Sequence, residues 1–238
     1  MIEKEGSELE ITEVDSARKK FDLLFDQNRV TLSEEYAKLV RRQDLSSTRG
    51  HWQGTTYSET WLDLFEARAL PARNFFRQRL SGQPLIDLGG GEGVMMNLAT
   101  DFGVSEYINV DRGYGDLPLN PYEIGHSGQL NPSSITLDVH ADMLDFVARL
   151  KDNAANFTIN GIDNIIVNDS AYHRVLAQEL IRATRPGGLI FGIHSNVLHE
   201  ILRLIQEKNL PIRAVDLKQE TGYRLIAPLG YDIFEKME

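Results

Sequence analysis

The sequence predicts an α/β protein built on a doubly wound, mostly parallel sheet of seven strands, with a helical region before it. Two observations predict this fold class. From residue 84 onward, short apolar runs alternate with stretches of helical period, as in strands joined by crossover helices. The first apolar run ends in a burst of glycines, which is typical of ligand-binding strand-to-helix turns in such sheets. We therefore expect a helical cap at residues 1–80 that covers the substrate, and the doubly wound domain at residues 81–238.

The first 80 residues carry helix signals. Phe21, Leu24 and Phe25 recur at helical spacing, and Ser33 followed by two glutamates is typical of a helix start. A third helical pattern, which contains Trp61, is expected to be interrupted at Pro71. The region therefore predicts three helices and no strand.

Two polar segments read as long loops. Residues 46–57 contain His51, Trp52 and Tyr57, which either cover the acceptor of a reaction or simply pack within the cap. Residues 112–132 are rich in Gly, Pro and Asn and predict a loop inserted after the second strand. Loops of this length are usually functional.

The alternating part of the chain predicts five strands that are each followed by a turn or a helix, and then a closing pair of strands. The five are expected at residues 84–88, 106–111, 134–139, 163–169 and 189–195, and the closing pair at residues 212–219 and 223–229.

The glycine-rich turn limits what ligand it can hold. A triphosphate-binding loop needs Lys and then Ser or Thr after its last glycine, but here Gly93 is followed by Val94. The dinucleotide fingerprint needs glycine at its first, third and sixth positions, and counting from Gly89 the sixth is again Val94. What remains is Gly89, Gly91 and Gly93 at alternate positions, with Asp87 two residues before the first.

This pattern, IDLGGGEG, resembles motif I of the class I S-adenosylmethionine-dependent methyltransferases, and the resemblance covers roughly residues 84–229. The resemblance implies a Rossmann-like fold, S-adenosylmethionine as cofactor, and methyl transfer. It implies that Asp87 and the three alternate glycines bind the methionine end of the cofactor. It also implies that Asp111, at the end of the second predicted strand, binds the ribose hydroxyls. The Pro-Gly-Gly turn at residues 186–188 resembles the family's stretch before the fifth strand.

Two further segments resemble motifs of this family. The stretch HADMLDF implies that Asp142 and Met143 contact the adenine, and the stretch DNIIVND implies that Asn168, with Asp169 and Ser170, lines the transferable methyl group. The chain departs from the family pattern because it lacks the Asn/Asp-Pro-Pro-aromatic signature of amino-methylating enzymes. It also contains no Cys, so methylation through a cysteine nucleophile is excluded.

The catalytic residues are harder to assign than the cofactor residues. His173 is the candidate general base, because histidine titrates near neutral pH, and Tyr172 is a candidate for shaping the pocket. The alternative is that both side chains pack or face solvent. Methyl transfer can also proceed by positioning and desolvation without a general base.

A catalytic metal is not expected. Asp138, His140 and Asp142 alternate along one strand, but Asp142 is already assigned to the cofactor and a strand end is a poor metal cage. His194 and His199 are five residues apart, which is not the spacing of a helical zinc pair.

Composition suggests where the protein works and on what. The formal net charge of −10 predicts a small or medium-sized acceptor and no nucleic-acid partner, because a negative surface repels phosphates. The sequence has no apolar run of membrane-spanning length, no signal-peptide pattern and no Cys, which favours a cytoplasmic protein without a membrane partner.

Three other functions stay open at this point. An aminopropyltransferase has a similar Gly-Gly-Gly-acid-Gly turn, and a non-catalytic cofactor-binding or partner module can use the same fold. A nicotinamide oxidoreductase is disfavoured by Val94. The acceptor, the methylated atom and the oligomeric state are not assigned by the sequence.

Overall fold

The structure is a computed structural model. It describes residues 19–29, 34–41, 61, 64, 66–91, 93, 95–111, 124–125, 135–161, 169–225 and 231–238.

These residues contain eight strands, which form one sheet. In chain order the strands are β1 Leu85–Leu88, β2 Glu106–Asp111, β3 Ile124–Gly125, β4 Ile135–His140, β5 Asn156–Ile159, β6 Leu189–Ile193, β7 Ile212–Ala214 and β8 Tyr231–Lys236. Their order across the sheet is β3-β4-β2-β1-β5-β6-β8-β7. The five central strands, from β4 to β6, are parallel, and β8 is antiparallel to β6.

The predicted fold class is confirmed. Seven strands form the mostly parallel sheet, and the eighth, β3, is a two-residue edge strand within the segment that was predicted to be a loop. The strand order runs outward from β1 through β2 to β4 on one side, and from β5 to β6 on the other. The switch point of the sheet therefore lies between β1 and β5.

Helices cover both faces of the sheet. In chain order they are α1 Glu34–Arg41, α2 Leu70–Leu80, α3 Met96–Phe102, α4 Met143–Ala148, α5 Ser170–Ala183, α6 Asn196–Glu207 and α7 Leu217–Thr221. Buried residues of α1, α4, α5 and α6 share one core with one face of the sheet, whereas those of α2, α3 and α7 share a second core with the opposite face.

The structure contradicts two of the strand predictions. The strand that follows α4 and pairs with β1 is Asn156–Ile159, not residues 163–169, of which 163–168 lie outside the described residues. Asn156 and Thr158 are polar, so the sequence of β5 resembles a loop, but both residues are completely buried and hydrogen-bonded. The closing strand is Tyr231–Lys236, and a helix, α7, precedes it. Of the predicted strand at residues 223–229, residues 223–225 form no strand and residues 226–229 lie outside the described residues.

Pro71 begins a helix rather than interrupting one. It occupies the first turn of α2, where a residue without an N–H costs no hydrogen bond. A short 3₁₀ turn, Ala67–Ala69, leads into it.

The predicted N-terminal cap divides into two parts that pack in different places. Phe21 packs against Phe146 of α4, and the Tyr36 hydroxyl of α1 donates to Glu179 of α5 at 3.0 Å. Trp61, by contrast, belongs to the core on the other face of the sheet. Residues 42–60, which include His51, Trp52 and Tyr57, lie outside the described residues, so the covering role stays a prediction.

Candidate functional site

The candidate site lies at the carboxyl edge of the sheet, beside the switch point. Leu88 at the end of β1 is in register with Val110 of β2 and with Ile159 of β5. The residues that follow these three strands therefore meet at one edge. Ligands of doubly wound sheets bind in the crevice formed at this position.

The glycine turn after β1 needs its glycines for two different reasons. The alternate glycines 89, 91 and 93 have φ values of 69°, 52° and 76°, which other residues rarely adopt. Gly90 is constrained by space instead, because a Cβ there would lie 2.4 Å from Asn109 Oδ1 and 2.6 Å from Asp87 Oδ2. The turn is thus folded directly over buried polar side chains. Glu92 and Val94 lie outside the described residues.

Below the turn, a row of polar side chains crosses the centre of the sheet. Asp87 is paired in register with Asn109 of β2 and Thr158 of β5, and Asn109 is paired with Asp138 of β4. The Asn109 amide donates to Asp138 Oδ1 at 3.0 Å. The Tyr107 hydroxyl, on the same face, donates to Asp87 Oδ2 at 2.5 Å. A polar row at the centre of a sheet is costly unless each group finds a partner.

Two oxygens of this row have no hydrogen-bond partner among the described residues, namely Asp87 Oδ1 and Asn109 Oδ1. Asp87 is only 1% exposed. Burial raises the pKa of Asp87 to about 7, the hydrogen bond from Tyr107 opposes this rise, and the charge of Asp111 adds to it. A buried carboxyl with an unused oxygen favours a ligand that brings a cationic N–H donor.

Tyr107 keeps its proton in this environment. Burial, and then the negative charge of Asp87, raise the pKa of the Tyr107 hydroxyl well above its ordinary value. The hydroxyl is therefore a permanent donor that fixes one oxygen of Asp87 and leaves the other available.

Asp111 lies at the end of β2 and is tied to the glycine turn. Its Oδ2 accepts a hydrogen bond from the Gly91 N–H at 3.0 Å, and its backbone carbonyl accepts from the Ala141 N–H at 3.0 Å. The Asn109 amide also donates to the Gly91 carbonyl at 2.9 Å. The turn and the end of β2 consequently form one hydrogen-bonded unit.

Asp142 caps α4 and is joined to Tyr172. Its Oδ1 accepts from the Leu144 N–H at 2.9 Å, from the Asp145 N–H at 3.2 Å and from the Tyr172 hydroxyl at 3.0 Å. Asp142 and Tyr172 are both buried, and Met143, the first residue of α4, is 7% exposed. The structure therefore brings the predicted adenine residues and Tyr172 together.

Two other predicted site residues lie near Tyr172, at the start of α5. His173 is buried beside Tyr172, with their ring centroids 6.5 Å apart. Asp169 caps α5 by accepting from the N–H groups of Ala171 and Tyr172. Asn168, assigned to the cofactor by the resemblance, lies outside the described residues.

Several residues that support the site were not predicted from the sequence. Asn109 and Tyr107 support the turn, and Asn160, just after β5, holds the side chain of Trp61. The strand NFTIN alternates polar and apolar residues with a period of two, and this was the signal that could have revealed β5 and Asn160.

The arrangement defines the class of the molecule as a doubly wound α/β domain with a ligand crevice at its switch point. No family model matches the chain. Over 150 residues, 59% of this chain, it is 27% identical to a ribosomal protein L11 methyltransferase of Prochlorococcus marinus, and the match spans only 45% of that relative's length. The predicted resemblance to methyltransferases is thus confirmed as a similarity in sequence.

Among the solved structures that are similar to this chain are the following two. One, from Streptococcus mutans in complex with SAH (S-adenosylhomocysteine), is 10% identical to this chain. The match covers 72% of this chain and 99% of that chain, with a TM-score of 0.47. The other, an rRNA methylase from Streptococcus thermophilus, is 9% identical, with 70% and 95% covered and a TM-score of 0.45.

The prediction of a small-molecule acceptor and no nucleic-acid partner is wrong. The curated relative is named as a methyltransferase of a ribosomal protein, which is a macromolecule. The prediction rested on the net charge of −10, which averages over the whole surface. Recognition of an acceptor depends instead on the local charges around one edge of the sheet.

Among the described residues, no helix has the length and apolar character needed to cross a membrane. The same part of the chain holds no group of three or more His, Cys, Asp or Glu side chains that could bind a metal ion.

Proposed function

We propose that this protein is an S-adenosylmethionine-dependent methyltransferase whose cofactor binds at the glycine turn after β1. One observation carries the proposal: Asp87 is buried under that turn and has an oxygen without a hydrogen-bond partner among the described residues. The cofactor has an ammonium group that fits a buried carboxylate. A pyrophosphate would be repelled by it, which disfavours the nicotinamide alternative.

In this proposal, different residues at the carboxyl edge of the sheet bind different parts of the cofactor. Asp87 and the backbone of the glycine turn hold the methionine end. Asp111, which the Gly91 N–H ties to the glycine turn, binds the ribose hydroxyls. Asp142 and Met143 meet the adenine, and Tyr172 acts as a positioning residue because its hydroxyl fixes Asp142.

The bound cofactor would supply an electrophilic methyl group on a sulfonium. The chain's own task is to hold this group in line with the acceptor and to exclude water, which can account for much of the rate. The acidic row under the turn also favours the positive charge of the ground state, so it contributes binding more than acceleration. The roles predicted for His173 and Asn168 stay predictions.

We infer that the acceptor is a polypeptide of the ribosome. The relative with 27% identity is named as a methyltransferase of a ribosomal protein.

A ligand panel tests the cofactor. The melting temperature of the protein is measured with S-adenosylhomocysteine (SAH), decarboxylated S-adenosylmethionine and NAD. We expect the largest increase with SAH, since a ligand that binds only the native state must stabilise it. A larger increase with the decarboxylated cofactor would favour aminopropyl transfer, and one with NAD alone would exclude the proposal.

A labelling experiment tests the acceptor. Ribosomal subunits are incubated with the protein and tritiated S-adenosylmethionine, and the protein and RNA fractions are counted separately. We expect the label in the protein fraction. Label confined to RNA would overturn the polypeptide inference while leaving methyl transfer intact. Binding of SAH without label in either fraction would favour the non-catalytic module.

A further inference from the structure

Trp61 is a buried side chain from the N-terminal region that reaches the candidate site. It is 1% exposed, and its ring meets Phe191 of β6 and Phe76 of α2 nearly edge-on, with centroids 5.4 and 6.1 Å away. Its indole N–H donates to Asn160 Oδ1 at 3.0 Å. The hydrogen bond joins residues that are 99 positions apart in the chain.

The Asn160 amide is held in one orientation. Two groups that can only donate, the Trp61 indole and the Ile193 N–H, converge on Oδ1 at 3.0 and 3.2 Å, so this atom must be the oxygen. The Nδ2 group donates to Thr158 Oγ1 at 3.1 Å. Because both lone pairs of Oδ1 are used, the amide can offer a ligand an N–H but no acceptor.

Asn160 stands next to the glycine turn. Ile159 is in register with Leu88, so Asn160 is level with Gly89, the first glycine of the turn, on the adjacent strand. It is only half-buried, and it follows β5 on the side of the switch point opposite to Asp111. The residues proposed for the ribose and the adenine are all on the other side, which leaves the part of the crevice beside Asn160 for the acceptor.

We propose that Trp61 is a positioning residue of the site, which acts through Asn160 by holding its amide with an N–H toward the acceptor. This inference rests on the proposed function and extends the site to the N-terminal region. Packing alone does not need an indole, since a phenylalanine would fill the same aromatic cluster. The indole N–H supplies the second bond that fixes Asn160. The group of the substrate that lies beside Asn160 therefore accepts a hydrogen bond from its amide.

An NMR experiment tests whether Trp61 senses the site. The chain has two tryptophans, so a ¹⁵N-labelled sample gives two indole N–H resonances, and Trp52→Phe assigns them. We expect saturation with SAH to shift the Trp61 resonance in the wild type. In Asn160→Ala the resonance should move before any ligand is added, because its acceptor is gone. A Trp61 resonance that ignores bound SAH would overturn the proposal.

A double-mutant cycle tests whether Trp61 acts through Asn160. With S-adenosylmethionine and ribosomal subunits, Trp61→Phe and Asn160→Ala are each expected to lower kcat by about ten-fold, with KM for the cofactor nearly unchanged. The double variant should be no slower than Asn160→Ala alone, since residues acting as a unit are not additive. Asn160→Asp keeps both bonds to Oδ1 but loses the N–H, so it should be as slow as Asn160→Ala. If the two substitutions lower kcat independently, so that their fold-losses multiply in the double variant, the proposal is contradicted.

Phe102→Leu is the matched control. Phe102 stacks on Phe76 at 5.2 Å in the same aromatic cluster and has no bond to Asn160. It should lower the melting temperature without changing the SAH-induced shift of the Trp61 indole. If Phe102→Leu abolishes that shift and lowers kcat as much as Trp61→Phe does, the role of Trp61 is packing alone. If SAH gives no heat of binding with the wild type, the proposed function fails together with this inference.

Discussion

The two faces of the central strands differ in chemistry although they share the same backbone. On one face, Ile86 and Leu88 of β1 and Ile108 and Val110 of β2 are buried among the side chains of α4, α5 and α6. On the other face, the same strands carry Asp87 and Asn109, each with an oxygen that has no hydrogen-bond partner among the described residues. The first face stabilises the fold. The second face packs an apolar core as well, but its buried polar row costs stability and keeps groups ready for a ligand.

Ile108→Ala breaks the first face and should have the largest effect. Ile108 is fully buried, and removing a buried isoleucine side chain costs about 2–5 kcal/mol of unfolding free energy. Affinity for SAH at a temperature where the variant is folded should change little. Urea unfolding and calorimetry check the two parts. A stability loss near zero would show that this face is not the one that holds the fold.

Asp87→Asn relieves the buried polar row. The pKa of Asp87 is raised from 3.8 to about 7, so between these values the native state binds more protons than the unfolded chain. Stability that depends on this group therefore falls as pH rises from about 4 to 7 and stays low above 7. The variant should be more stable than the wild type near pH 8, by up to about 4 kcal/mol, and no more stable near pH 4. It should also bind SAH at least about ten-fold more weakly.

Urea unfolding of both proteins across this pH range measures the difference. Asp216→Asn, at the exposed cap of α7, serves as the control, because it changes the same chemical group away from the site. If the free energies of unfolding of the wild type and of Asp87→Asn depend on pH in the same way, Asp87 ionises with an ordinary pKa in the native state.

Gly90→Ala tests the close approach of the turn to the polar row. The added Cβ would lie 2.4 Å from Asn109 Oδ1, so the turn or the row must move, at a cost of about 1–3 kcal/mol. SAH binding should be lost with it. Gly187→Ala is the control for stability, because a Cβ there meets nothing within 4 Å although its φ is 65°. Unchanged affinity for SAH in Gly90→Ala would show that the turn is not part of the binding site.

His173→Gln has the smallest expected effect. A general base contributes about 10²–10⁴-fold to a rate, whereas a packing residue contributes little. His173 is 3% exposed, so we expect methyl transfer to ribosomal protein to fall by less than about three-fold. A loss of 100-fold or more would show that His173 is the base.

The sequence predicted the part of the site that depends on local chemistry. Alternate glycines after a buried aspartate predicted the turn, and the positive φ at Gly89 and Gly91 is the physical reason for that pattern. The ends of β2 and β4, marked by Asp111 and Asp142, were also predicted. Each of these signals lies within a few residues of the feature it predicts.

What the sequence did not predict depends on contacts across the sheet. β5 was missed because its buried Asn156 and Thr158 resemble loop residues until their hydrogen-bond partners are known, which for Asn156 are the Pro84 carbonyl and the Leu189 N–H of β6. The contact between Trp61 and Asn160 spans 99 positions, and no local pattern encodes it. Helix α7 was missed although Asp216 and Gly222 are ordinary start and stop signals.

Proton release on binding tests the central claim, that Asp87 is the buried carboxyl that meets the ligand. SAH is titrated into the protein at pH 6.5 by calorimetry in buffers of different ionisation enthalpy. With a pKa of about 7, Asp87 is mostly protonated in the free protein, and a cationic ammonium would remove that proton. We predict release of roughly three-quarters of a proton by the wild type and almost none by Asp87→Asn. Tight binding of SAH with no proton released by the wild type would contradict the claim.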